Sequence, residues 1–119
     1  MPHIERTPEQ TDVLKNMNLD GPVQMLNMLR YKPETGRDSF AKYAANTGPL
    51  LKAVGGKVVY QSEARTVLIG DEEWDDILIV EYPSKDAYLE MITSEKYQSG
   101  VHFRREALLD ARLVCMQRR

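Results

Sequence analysis

The sequence predicts one α+β domain, an antiparallel sheet with helices on one face. Three observations carry this. Two short apolar runs, 22–31 and 74–82, are set off by turn residues, as buried strands are. Segments with helical spacing follow each of them, at 38–54 and 84–108. After a leading helix the order is strand, helix, strand, strand, helix, strand, which is the split βαβ, ferredoxin-like arrangement. At 119 residues the chain holds one core, so residues 1–119 are read as a single domain with 1–20 as an N-terminal helical extension and 21–117 as the βαββαβ core.

Thr7-Pro8-Glu9-Gln10 opens the first helix: Thr7 caps, Pro8 suits the first turn and Gln10 closes a capping box. Pro22 to Tyr31 is the opening strand, an apolar run interrupted by Asn27 and Arg30. Asp38-Ser39 starts the second helix, with Phe40, Tyr43, Ala44, Thr47, Leu51 and Val54 near helical spacing. Pro49 should kink it, lacking the donor that would bond back to Ala45. Gly55-Gly56 ends it. Residues 57–69 alternate and are rich in Val, Tyr and Thr, so they read as a long half-exposed strand. Trp74–Tyr82 is a buried strand in hairpin with it. Ser84 caps the next helix and Ser94 a further one through Leu108, with a break expected near Gly100. Residues 111–117 close the chain as a strand.

Strands 22–31 and 74–82 are expected side by side and parallel in the sheet centre, apolar on both faces. The helices cover only one face, and a second copy of the chain is the simplest cover for the other, so a homodimer is expected. Alternation places Gln24, Leu26, Met28 and Arg30 on one face of the first strand, and Val23, Met25, Asn27 and Leu29 on the other. An in-register pairing sets Arg30 beside Glu81 at the dimer face, with Asn27 and Trp74 toward the helices.

Composition excludes several classes. Sixteen basic against eighteen acidic residues give a net charge of −2, no footprint for nucleic acid. No stretch approaches the ~18 apolar residues of a membrane span. The start lacks an apolar signal region, and the single cysteine, Cys115, forms no internal disulfide; a cytoplasmic location is expected. The acidic run Asp71, Glu72, Glu73, Asp75, Asp76 lacks the glycine and spacing of a calcium loop and reads as a solvated turn, so no metal is expected. No CxxC, Walker, GxGxxG, GxSxG or HExxH pattern occurs.

Among candidate functional residues Asn27 leads, because a buried amide needs partners or a ligand. His102 on the last helix is the candidate for moving a proton. Trp74 lines a pocket or plugs the sheet end, and Tyr97 and Arg105, eight apart, would share a helix face and hold an acidic or phenolic ligand. Each has a plainer reading: a satisfied core amide, a helix-surface histidine, packing and a surface ion pair.

The runs GPVQMLNMLRYK, GPLLKAVGGKVVYQSE, WDDILIVEYPSKDAY and EKYQSGVHFRREALLDARLV resemble the domain-of-unknown-function 1330 family over residues 7–116. The resemblance implies membership of the dimeric α/β-barrel superfamily, in which two ferredoxin-like protomers join their sheets. That superfamily holds cofactor-free monooxygenases, haem-degrading enzymes, isomerases and small-ligand binders, usually with a pocket between sheet and helices. Some of its monooxygenases use an asparagine on the first strand with a tryptophan and a histidine, residue types that Asn27, Trp74 and His102 match. His102 falls later along the helical region than the haem-binding pattern has it, so no cofactor is expected. The reading that follows is a small enzyme-like homodimer that binds a compact organic molecule, by cofactor-free oxidation or isomerase-like proton transfer. Its rivals are a non-catalytic ligand-binding or interaction module and a haem-handling protein.

Overall fold

The computed structural model describes residues 2–119. Strands β1 (Val23–Tyr31), β2 (Lys57–Glu63), β3 (Asp76–Tyr82) and β4 (Leu108–Met116) form one sheet in the order β2-β3-β1-β4, with every pairing antiparallel. Helices α1 (Pro8–Asn16), α2 (Gly36–Ala53), α3 (Lys85–Thr93) and α4 (Glu95–Ala107) complete an α+β ferredoxin-like fold. No helix among the described residues is long and apolar enough to cross a membrane.

The central strands are antiparallel, not parallel as expected. Helix α2 returns the chain so that β2 runs with β1, and the β2–β3 hairpin then reverses it. Reversal changes the register while keeping the faces. Gln24, Leu26 and Met28 lie opposite Glu81, Ile79 and Ile77, whereas Met25 and Asn27 lie opposite Val80 and Leu78. Arg30 and Glu81 therefore share a face but stand at opposite ends of it, and the expected pair does not form. Arg30 lies opposite Asp110 and reaches Glu73 at 3.6 Å. Glu81 accepts from Gln24 Nε2 at 2.8 Å and lies 3.9 Å from Lys57 Nζ.

The second strand also stops earlier than its alternation predicts. Val67, Leu68 and Ile69 continue the pattern but find no partner, because β3 begins only at Asp76. They lie in the loop 64–75, with Leu68 and Ile69 at least 90% exposed. Trp74 precedes β3 rather than opening it.

The helix termini follow their capping residues. The Gln10 amide donates to Thr7 Oγ1, Ala87 to Ser84 Oγ and Tyr97 to Ser94 Oγ. Ser94 serves twice, since its own amide and hydroxyl bond Met91 O and end α3. Helix α2 begins at Gly36, before Asp38, and runs unbroken through Pro49, while α4 runs unbroken through Gly100. A Cβ at Gly36 would stand 2.6 Å from the Ala107 carbonyl oxygen and 2.8 Å from Tyr31 Cβ. Glycine thus lets α2 start where β1, α4 and β4 converge.

The core lies between the sheet and the helices in two clusters. Val23, Met25, Val80 and Tyr82 meet Tyr88, Met91, Ile92 and Tyr97 in the larger one; Leu29, Tyr31, Ala107, Leu108 and Ala111 form the smaller. Leu26, Met28, Ile77 and Ile79 belong to neither and lie on the sheet face that carries no helix.

Candidate ligand-binding site

The N-terminal segment is bound across the helix-facing side of the sheet at the β4 edge. The His3 carbonyl accepts from the Ala111 amide at 2.7 Å, and the His3 amide donates to Asp110 Oδ1 at 2.8 Å. Arg104 Nη1 donates to the Ile4 carbonyl at 2.6 Å. Lys85 Nζ donates to the carbonyls of Leu14, Lys15 and Met17, which fixes the end of α1 against α3. Between this segment and the sheet lies a cleft of about 470 Å³, walled by residues 3–17 on one side and by Met25, Leu113 and Cys115 on the other.

Arg6, Arg104 and Tyr88 line the cleft. Arg6 Nε donates to the Tyr88 hydroxyl and Nη1 to the Tyr97 hydroxyl at 2.8 Å. The Arg6 guanidinium lies 5.4 Å from the centroids of both rings, so its charge also meets two π faces. Tyr97, 1% exposed, shares a 2.9 Å hydrogen bond with the Tyr43 hydroxyl. A chain Tyr43–Tyr97–Arg6–Tyr88 thus runs from inside the helical layer to the cleft.

Burial raises the Tyr97 phenol well above its ordinary pKa; the Tyr43 hydroxyl adds to this and the Arg6 charge opposes it. Burial does the same to Tyr82. These phenols keep their protons at neutral pH and act as donors and acceptors, not as bases. Burial works against the Arg6 charge, but the phenol oxygens of Tyr88, Tyr97 and Tyr43 more than offset it, and its pKa lies above the ordinary arginine value. Arg104 is 5% exposed, and burial lowers its pKa. Among the described residues neither arginine has a carboxylate partner.

The residues singled out from sequence are dispersed. Asn27 is half-buried in mid-β1, opposite Leu78 and Leu113, and its Nδ2 donates to the Met25 carbonyl at 3.3 Å. His102 packs against its neighbour Phe103 at 4.1 Å between centroids. Trp74 lies beneath the Arg112 guanidinium, 5.2 Å from the ring centroid and outside both apolar clusters. None of the three lines the cleft. Tyr97 and Arg105 do not share a face as expected: eight residues span a little more than two turns, and the inward position falls on Arg104. Arg105 is exposed and paired with Glu5. Arg6 left no signal in sequence, because it precedes the first helix and its partners are remote in the chain. Tyr88 and His3 line the cleft as well.

The family of unknown function DUF1330 matches residues 33–118, from the β1–α2 turn to the end of β4. The chain belongs to this family. A DUF1330 domain here carries β1 and the whole N-terminal segment, Arg6 included, outside the matched region. A crystal structure of a protein of unknown function from Rhodopseudomonas palustris is 36% identical, covers 100% of this chain and 98% of its own, and superposes with a TM-score of 0.95. More distant are a dabb-family protein with a ferredoxin-like fold from Mesorhizobium loti (13% identity, 84% and 99% coverage, TM-score 0.61) and SnoaB, a cofactor-independent oxygenase from Streptomyces nogalater (14%, 83% and 94%, 0.60). These two share the ferredoxin-like fold. No curated protein matches the chain.

A second, smaller cleft of this DUF1330 domain, about 300 Å³, lies between the start of α2 and the sheet. Its charged side chains are paired, Arg37 with Asp76 and Glu63 with Arg65. The Tyr31 hydroxyl donates to Asp76 Oδ2 at 2.8 Å, and Arg37 Nη1 reaches the same oxygen at 3.2 Å. Burial and the Asp76 carboxylate together raise the Tyr31 pKa. Charge is balanced here, in contrast to the first cleft.

Proposed function

We propose that this protein is a homodimeric small-molecule-binding protein whose ligand, a compact organic molecule, occupies the cleft between the N-terminal segment and the sheet. One observation carries the reading: the Arg6 and Arg104 guanidinium groups and the Tyr88 phenol meet on one cleft of about 470 Å³, a size that suits a compact ligand. Binding is supported ahead of catalysis because this wall presents hydrogen-bond donors, the Arg6 and Arg104 guanidinium groups and the Tyr88 hydroxyl, and burial raises the Cys115 thiol on the wall facing them. Asn27 and His102, if they act, do so from outside this wall. Dimerisation through the uncovered sheet face agrees with the apolar residues Leu26, Met28, Ile77 and Ile79 there, with Arg30 and Glu81 on the same face toward its ends.

Cys115 gives a direct test, being the chain's single cysteine and part of the cleft wall. A compound bound in the cleft will slow alkylation of Cys115 by a fluorescent maleimide. A compound library in which every tight binder leaves that rate unchanged would place the ligand elsewhere and end this reading.

A further inference from the structure

We propose that the cleft takes a compact organic anion, a carboxylate or an enolate, gripped between Arg6 and Arg104 with the Tyr88 hydroxyl donating to it. The inference rests on the cleft being the ligand site and adds the charge of the ligand.

The charges around the cleft do not balance without one. Four charged side chains line it: Glu5, Arg6, Arg104 and Arg112. Glu5 is paired with Arg105, and Arg112 with Glu72 and with Asp110 at 2.7 Å. Arg6 and Arg104 are left, both cationic, and among the described residues neither meets a carboxylate. Their hydrogen-bond partners here are neutral: two phenol oxygens for Arg6 and the Ile4 carbonyl for Arg104. A guanidinium carries five donors in a fixed fork that matches a carboxylate, so both retain donors for a ligand. Buried cations without counter-charge are costly, and an anion between them removes that cost while gaining charge-assisted hydrogen bonds.

Tyr88 supplies the third element. Its oxygen accepts from Arg6 Nε, and among the described residues no acceptor takes the Tyr88 proton. A phenol whose oxygen is already engaged by a cation is a strengthened donor, and it needs an acceptor oxygen on the cleft side. The opposite wall, Met25, Leu113 and Cys115, is apolar, so the body of the ligand is hydrocarbon. A small inorganic anion would fill the charged end and leave that wall wet.

The test compares isosteres on the intact chain. Benzoate, 4-hydroxybenzoate and succinate are set against benzamide and benzyl alcohol, with inorganic phosphate as the control for charge alone. Binding is read by calorimetry and by protection of Cys115 from alkylation. Benzoate is expected to bind and to protect Cys115 at least about tenfold more tightly than benzamide, the least that one charge-assisted contact contributes. Arg6→Gln, in a segment that is not part of the sheet, and Arg104→Lys should each weaken benzoate more than benzamide and so narrow that ratio. Equal binding of benzoate and benzamide, both protecting Cys115, overturns the charge assignment and leaves the cleft as the ligand site. Phosphate binding as tightly as the aromatic anions overturns the organic part. Binding of none of these compounds, with Cys115 alkylated at an unchanged rate, overturns the anion inference; failure of a wider neutral library as well overturns the cleft.

Discussion

Tyr97 joins three elements through one oxygen: it accepts from Arg6 of the N-terminal segment and is bonded to Tyr43 of α2 from its own place on α4. Tyr97→Phe removes that oxygen and leaves two polar partners in a buried setting. A loss of about 1–3 kcal/mol is expected from urea unfolding, with the N-terminal amides exchanging faster. Asp110 bears a different role at the far end of the segment. Its slight burial is outweighed by hydrogen bonds from the His3 amide, Arg112 and the Ala111 amide, which hold its carboxyl below the ordinary aspartate range. A depressed native pKa gives stability that is complete above the unfolded value of about 3.8 and is lost as the pH falls through the native one. The wild type should therefore lose more stability than Asp110→Asn between neutral pH and the acid side of that value. Thermal melts over this range, equal in slope for the two proteins, would remove Asp110 from the acid response.

Helix α2 depends on a close approach that no side chain allows. At Gly36 the obstructing atoms are a backbone carbonyl oxygen and Tyr31 Cβ, neither of which can swing away. Gly36→Ala should cost about 1–3 kcal/mol through overpacking, measured as a lower urea midpoint with an unchanged slope. The element level is also where reading from sequence succeeded and failed for identifiable reasons. Thr7, Ser84 and Ser94 marked three helix starts correctly because a cap is a local contact, settled within three residues. The end of β2 was not legible: Val67 to Ile69 have strand character, but a strand ends where its partner ends. The direction of β3 was a matter of topology, and its misreading displaced Arg30 from Glu81 while leaving the two faces intact, since alternation along a strand survives reversal. The cleft was invisible because Arg6 and Arg104 meet only when the two ends of the chain are brought together.

For the whole molecule the uncovered sheet face is the determining surface. Leu26, Met28, Ile77 and Ile79 line its centre, and Val114 beside them on β4 is 48% exposed. A charge placed there is costly only if a second copy covers it. The proposed dimer through this face predicts that Ile77→Asp yields monomers by light scattering while retaining the circular dichroism of the fold. A variant that stays dimeric would show that the chains meet elsewhere, and the loop carrying Leu68 and Ile69 would then be the surface to alter. The opposite side of the sheet has its own closure. His3, Ile4 and Arg6 are anchored to β4, Arg104 and the tyrosines along a few consecutive residues. The consequence is one of time. If the proposed ligand has to lift that segment to pass, it waits for the same opening in both directions, so arrival and departure slow by a common factor and affinity does not change. Weakening Arg6 would then quicken exchange more than its effect on affinity suggests, and the residence time of the ligand would measure how often the N-terminus lets go.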